Sequence, residues 1–130
     1  MNLLLDTHTL VWALIAPQRL PDQVRALIAD RDNTLLVSAV SAFEIATKAR
    51  LGKFPEATPL IQGYSDHVTR LGTTPLPISD RHALHAGNLS WPHRDPFDRL
   101  LAAQSAVEQA PLVTADAVFD TLAGVNTIWG

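Results

Sequence analysis

The apolar positions of this chain fall in short runs, and the first of them organises the rest. Leu3-Leu4-Leu5 runs straight into Asp6. An unbroken apolar run of this length predicts a strand buried on both faces, as at the centre of a parallel sheet. From Thr7 and Thr9 the pattern turns helical through Leu10-Val11-Trp12-Ala13-Leu14-Ile15-Ala16 and stops at Pro17. Val24, Leu27 and Ile28 give a second helix within Pro21 to Asp30, and Asp32-Asn33 makes a turn. Leu35-Leu36-Val37 is the next buried strand, ending at Ser38. Ser41-Ala42-Phe43-Glu44 then opens a helix to about Arg50, closed by Gly52.

Residues 54–59 read as a loop, and a weaker helix is predicted from Leu60 to Leu71, ending at Gly72. Thr73 to Ile78 carries two prolines and suits a short edge strand. A helix over Ser79 to Gly87, with Ser79 or Asp80 as its cap, precedes a loop to Arg94. Asp95-Pro96 starts a helix running from Phe97 to Gln109. Pro111 to Thr114 forms a strand that turns at Ala115-Asp116 into a short helical turn, and residues 127–129 form a last strand. Strands alternating with helices imply a three-layer α/β/α fold around a mainly parallel sheet of about four or five strands.

Composition narrows the class. The 130 residues suit one domain, 1–130, with a core large enough to need no staples. A hydrophobic content of 47% against 18% charged residues excludes a disordered chain. The absence of cysteine removes disulfides and thiolate metal sites and fits a reducing, cytoplasmic location. The apolar run Leu10 to Ala16 is too short to span a bilayer, and an acid rather than a basic segment precedes it, so no membrane partner is expected. A net charge of −3 offers no general attraction to nucleic acid, so any polyanion must be held by a local basic patch or by metal ions.

The carboxylates carry the chemistry. In a parallel sheet Asp6, Glu44 and Asp116 follow strands that share one edge, where open α/β sheets gather ligands. Asp98 reaches that edge from a helix start. Each acid also has a capping explanation. Asp6 can cap the helix after it, Ser41-x-x-Glu44 has the form of a capping box, and Asp95-Pro96 fits a cap followed by the first helical residue. Capping leaves the apolar company of Glu44 and Asp98 unexplained, because isolated charges are seldom buried unless paired or metal-bound. Clustered carboxylates repel one another, and a hard cation such as Mg²⁺ or Mn²⁺ removes that cost. Scattered histidines and no cysteine argue against zinc.

Leu4-Leu5-Asp6-Thr7-His8, the stretch Ser38 to Ala46, His93 to Gln104 and Leu112-Val113-Thr114-Ala115-Asp116 follow in that order. Together they resemble the PIN-domain ribonucleases, and among these the VapC toxins of type II toxin–antitoxin systems. The resemblance spans nearly the whole chain. It implies a Mg²⁺- or Mn²⁺-dependent endoribonuclease acting on transfer or ribosomal RNA. It also implies a homodimer inhibited by an antitoxin laid over the active-site groove. It places metal-site acids at Asp6, Glu44, Asp98 and Asp116, with Asp6 and Asp98 as the principal ligands. Asp95 is an additional acid that many members lack.

Other residues stand open between two roles. Thr7 and Thr114 either orient a metal-bound water or cap helices. Lys48, Arg50 and Lys53 either bind RNA phosphates or serve the end of their helix, since a helix C-terminus favours cations. Arg94 and Arg99 flank the acids and either bind phosphate or pair with carboxylates. The five histidines read as surface or structural, and Trp91 either stacks on a base or packs. Trp12 and Ile15, with Val24, Leu27 and Ile28, are expected to offer apolar surface to a protein partner. An aspartyl-phosphate phosphatase or a phospho-receiver domain is disfavoured, because position 8 is His8 and the only lysines are Lys48 and Lys53. A PIN-like RNA- or protein-binding module with a degenerate site is the non-enzymatic alternative.

Overall fold

The computed structural model describes residues 1–130. Five strands form one sheet: β1 (Asn2–Leu5), β2 (Thr34–Ser38), β3 (Thr73–Leu76), β4 (Leu112–Val113) and β5 (Thr127–Ile128). Their order is β3-β2-β1-β4-β5, and every pairing is parallel. β1 is central, with Leu4 in register with Leu36 on one side and Leu112 on the other. The order reverses at β1, since β2 and β3 extend to one side while β4 and β5 extend to the other. A crevice at the carboxyl ends of β1 and β4 follows from that reversal.

Alternation along β1 sorts the core into two layers. Leu3 and Leu5 pack with Leu10, Val24, Val37 and Val68. These residues belong to α1 (Thr7–Ile15), α2 (Asp22–Ala29), β2 and α4 (Tyr64–Arg70). Leu4 faces the other way, onto Val40, Leu101, Ala102 and Phe119. Val40 comes from α3 (Ala39–Arg50), and Leu101 and Ala102 from α6 (Pro96–Glu108). α5 (Asp80–Asn88) packs on α6. All three leucines of β1 are fully buried, as the apolar run predicts. No helix is long and apolar enough to cross a membrane.

Three local expectations are corrected. α3 begins at Ala39, and Ser38 is its cap, accepting from the Val40 amide at 3.0 Å. Ser41 therefore lies inside the helix, where its hydroxyl meets that of Thr7 at 3.0 Å, and there is no Ser41–Glu44 capping box. Residues Pro55–Leu60 form a 3₁₀ segment rather than a loop, and α4 starts only at Tyr64. Gly63, at φ +70, sets that start, since a left-handed residue cannot continue a helix. Finally, Val24 is fully buried and Leu27, Ile28 and Trp12 are half-buried against the same core layer, while Ile15 is exposed. Part of the apolar surface expected on the first two helices is thus internal.

Candidate active site

The two strand ends at the crevice deliver polar side chains. Asp6 follows β1 and caps α1, its Oδ1 accepting from the Thr7 amide at 2.7 Å. Thr114 follows β4 and donates its hydroxyl to Oδ2 of Asp6 at 2.6 Å. The same hydroxyl oxygen accepts from the amide of Asp116 at 3.0 Å. Asp116 in turn caps the 3₁₀ turn Ala117–Thr121 through the Val118 amide. Thr7 and Thr114 are both buried. Thr114 therefore orients Asp6 directly, while Thr7 contributes its amide to Asp6 and its hydroxyl to Ser41.

Asp95 caps α6, its Oδ1 accepting from the amides of Phe97 and Asp98 at 2.8 and 3.1 Å. Pro96 fills the first helical position, where its missing N–H costs nothing. Asp98 is then in the first turn, and its Oδ2 lies 2.7 Å from Nε2 of His93. Glu44, buried on the inner face of α3, pairs with Lys48 one turn on at 2.5 Å.

Asp6, Glu44, Asp95, Asp98 and Asp116 line one cleft of about 280 Å³ together with His8, Trp12, Lys48 and Ala115. The elements thus bring five carboxylates to one wall-to-wall space. Burial pushes the Asp98 carboxyl up to about 6. The His93 hydrogen bond opposes this, and the charges of Asp95, Asp6 and Glu44 add to it. Burial likewise raises Asp6 above the usual carboxylate range, against the hydrogen bonds from Thr114 and Thr7 and with the charge of Glu44. For Lys48, burial acts to lower the ammonium. The hydrogen bond and charge of Glu44, followed by the charges of Asp95 and Asp98, outweigh it and leave the group raised. Both acids are buried where their charge is disfavoured, and the one lysine is held charged among them.

A hard cation matches this donor set, which is all oxygen and in excess of negative charge. No three of the acidic and histidine side chains stand close enough to form a ready-made cage. A larger hollow of about 710 Å³ borders Arg25, Arg31 and Arg70 and contains a single carboxylate, Asp30. Size therefore does not mark the chemistry in this molecule.

Several expected site residues lie elsewhere. Arg50, Lys53 and Arg94 are exposed and do not line the cleft. Arg99 neither faces phosphate nor pairs with a carboxylate. Its guanidinium donates to four main-chain carbonyls, those of Ala86, Leu89, Trp91 and His93, at 2.8–3.1 Å. It fastens the loop that carries His93 onto α6. Trp91 packs in the core, and its indole N–H donates to Thr121 at 2.9 Å. His82 is structural, as expected, committed to the start of α5 and to Glu108. His93, read as surface or structural, touches a site acid. Five residues separate it from Asp98 across a loop-to-helix junction, a spacing with no periodic signature.

The Arg99 contacts lead to a prediction. Arg99→Ala should destabilise the chain by on the order of 2–3 kcal/mol, because four partly buried carbonyls lose a charged donor. Arg99→Lys should recover little of this, since an ammonium cannot reproduce the planar fork. Urea unfolding of the two variants measures it, and a stable Arg99→Ala chain would show the loop is held by other means.

The PIN domain model matches residues 3–125. A curated relative, Ribonuclease VapC16 of Mycobacterium tuberculosis, is 41% identical over 64 residues, covering 49% of this chain and 45% of the relative. The match thus spans about half the length of that relative. Among solved structures, DNA-bound VapBC from Salmonella typhimurium has a TM-score of 0.70 at 15% identity, covering 98% of this chain and 97% of that one. VapBC2 from Rickettsia felis, bound to a promoter DNA fragment, has a TM-score of 0.67 at 18% identity with full coverage of both chains. VapBC-5 from Mycobacterium tuberculosis gives 0.65 at 21%, covering 99% and 98%. These likenesses show the fold, and with a family model matching nearly the whole sequence, the chain belongs to the PIN-domain family.

Proposed function

We propose that this chain is a metal-dependent endoribonuclease and the toxin of a toxin–antitoxin pair, neutralised by a cognate antitoxin protein. The observation that carries this reading is the convergence of Asp6, Glu44, Asp98 and Asp116 on one cleft at the switch point of a PIN-family sheet. The ribonuclease name of the relative supports the activity, and the VapBC complexes among the structural neighbours support the antitoxin. Transfer or ribosomal RNA is the proposed substrate class.

Mg²⁺ or Mn²⁺ would be held by Asp6 and Asp98, with Asp116 and Glu44 beside them. When bound, such an ion activates water and stabilises charge that develops on the phosphate. The chain's own residues prepare the place for it. Thr7 and Thr114 fix both oxygens of Asp6. His93 fixes one oxygen of Asp98, and the Asp95 cap fixes the start of the helix that carries it. Ligand orientation by such neighbours is worth about 10–100-fold in metal affinity or activity.

The test uses the purified protein on total RNA, followed by sequencing of the cut ends. Discrete ends should accumulate with Mg²⁺ or Mn²⁺ and disappear in EDTA. Cleavage undiminished in EDTA would overturn the metal-dependent reading.

A further inference from the structure

Part of the cleft lining is aromatic. His8 and Trp12 border the same space as the five acids. They stand four residues apart on α1 and so share a face of that helix. Thr7 and Thr9, on either side of His8, are buried, while His8 itself is exposed.

The exposed imidazole is nonetheless fixed. It stacks on Phe54 with ring centroids 4.5 Å apart and planes 18° from parallel. Trp12 meets it at a steep angle of 71°, with centroids 5.8 Å apart. Both neighbours are anchored in turn. Phe54 is buried among Val11, Ile45, Ala57 and Leu60. Trp12 has the Arg19 guanidinium 4.7 Å over its ring and Trp129 at 6.0 Å. A ring held this way has little freedom left to lose when a ligand lands on it. His82 and His93 are each engaged by a carboxylate, whereas ring contacts place His8.

A nucleotide joins an anion to a flat base with an apolar face. The cleft sets two matching surfaces side by side, oxygens that suit a cation for the phosphate and an aromatic wall for the base. Phe43 and Phe97 also pair, at 5.3 Å, but neither lines the cleft, and Trp91 is packed in the core.

We infer that His8, held by Phe54 and Trp12, is a substrate-binding residue on which a base of the RNA stacks beside the phosphate in the carboxylate cleft. The inference rests on the ribonuclease reading above. Every base has a π-face, so His8 fixes how the strand lies rather than dictating a strict cleavage sequence.

The experiment measures binding apart from cleavage. Oligoadenylate, oligouridylate and an abasic ribose-phosphate oligomer of the same length are titrated in calcium buffer, at several salt concentrations. The proteins are wild type, His8→Ala, His8→Tyr and His8→Phe. Melting curves verify folding, and Mn²⁺ alone is titrated by calorimetry. His8→Ala should bind oligoadenylate about tenfold more weakly and lose less on oligouridylate, whose bases stack less strongly. His8→Tyr and His8→Phe should recover most of the affinity, because each supplies an aromatic face. The abasic oligomer should bind wild type and His8→Ala alike, with the salt slope unchanged. Mn²⁺ affinity should stay within about threefold of wild type, less than the tenfold of a lost interaction.

If His8→Ala keeps wild-type affinity for both oligonucleotides, the inference is wrong while the ribonuclease reading stands. That is the result expected if the aromatic wall seats a protein side chain instead. If the aromatic variants fail to rescue and the salt slope falls by about one, His8 is a phosphate contact and stacking is refuted. A loss of Mn²⁺ affinity equal to the loss of RNA affinity would mean that His8 acts through the metal site, which also overturns the inference. A wild-type protein that binds no oligonucleotide at all removes the ribonuclease reading, and this inference with it.

Discussion

Asp98→Asn is expected to lower RNA cleavage by at least about a thousandfold, the scale of losing a group that acts on developing charge. The same change should make the metal-free protein more stable at neutral pH. Asn keeps the size of the side chain and can still meet His93, but it removes a charge that burial and three neighbouring carboxylates disfavour. The sign follows from linkage. The folded-state value is about 6 against an ordinary 3.8, so the native chain binds this proton more tightly than the unfolded chain. The metal-free protein should therefore gain stability as pH falls from about 6 towards 4, by on the order of 2–3 kcal/mol at most. Asp98→Asn should flatten that rise. Asp95→Ala should behave in the opposite way. It removes two capping bonds, lowers stability by about 1 kcal/mol, and reduces cleavage only modestly through a shifted helix start. Paired melting curves in EDTA and cleavage assays on both variants decide between the two aspartates. An Asp98→Asn protein that cuts RNA normally, beside a stable and inactive Asp95→Ala, would reverse the assignment.

The sheet was legible because its central strand is a run of three leucines, a pattern that few other environments produce. The proline-bearing third strand was legible as an edge, and the caps of Asp95 and Ser79 as helix starts, because these signals are local. The errors share one cause, which is that tertiary neighbours decide among local options. Ser41 and Ser38 are both plausible caps for the Glu44 helix. Thr7 across the crevice takes Ser41, and Ser38 is left to cap. Arg99 reads as a site cation by its place beside Asp98, yet four carbonyls of the end of α5 and the loop after it claim it. The same loop brings His93 to Asp98, a contact that no periodicity announces. For the cleft, the acids could be named from strand and helix ends, but their partners could not. Which acid is held by Thr114, His93 or Lys48 depends on the approach of separate elements.

Asp6 offers the sharpest separation of chemistry from stability. Asp6→Asn and Asp6→Ala should both abolish cleavage, by about a thousandfold or more, since each removes a proposed metal ligand. The alanine variant should destabilise the fold more than the asparagine variant. In Asp6→Asn the amide oxygen still caps the Thr7 amide, and Thr114 can accept from the new N–H, so that only the Thr114 hydroxyl proton loses its acceptor. In Asp6→Ala the cap is lost, at about 1 kcal/mol, and the buried Thr114 hydroxyl is left without its acceptor, at about 1–3 kcal/mol. Relief of a buried charge offsets part of this, so a net loss of roughly 1–3 kcal/mol is expected. Thr114→Val completes a double-mutant cycle. In the wild-type background it removes the donor to Asp6, so Mn²⁺ affinity should fall about 10–100-fold. With that hydrogen bond gone the Asp6 carboxyl rises further, and cleavage should need a higher pH. In the Asp6→Ala background the same substitution should be close to neutral for stability, because the orphaned hydroxyl goes with it. Urea unfolding of the four chains measures the coupling. If the stability losses of Asp6→Ala and Thr114→Val simply add, the short Asp6–Thr114 hydrogen bond contributes nothing to the stability of the fold.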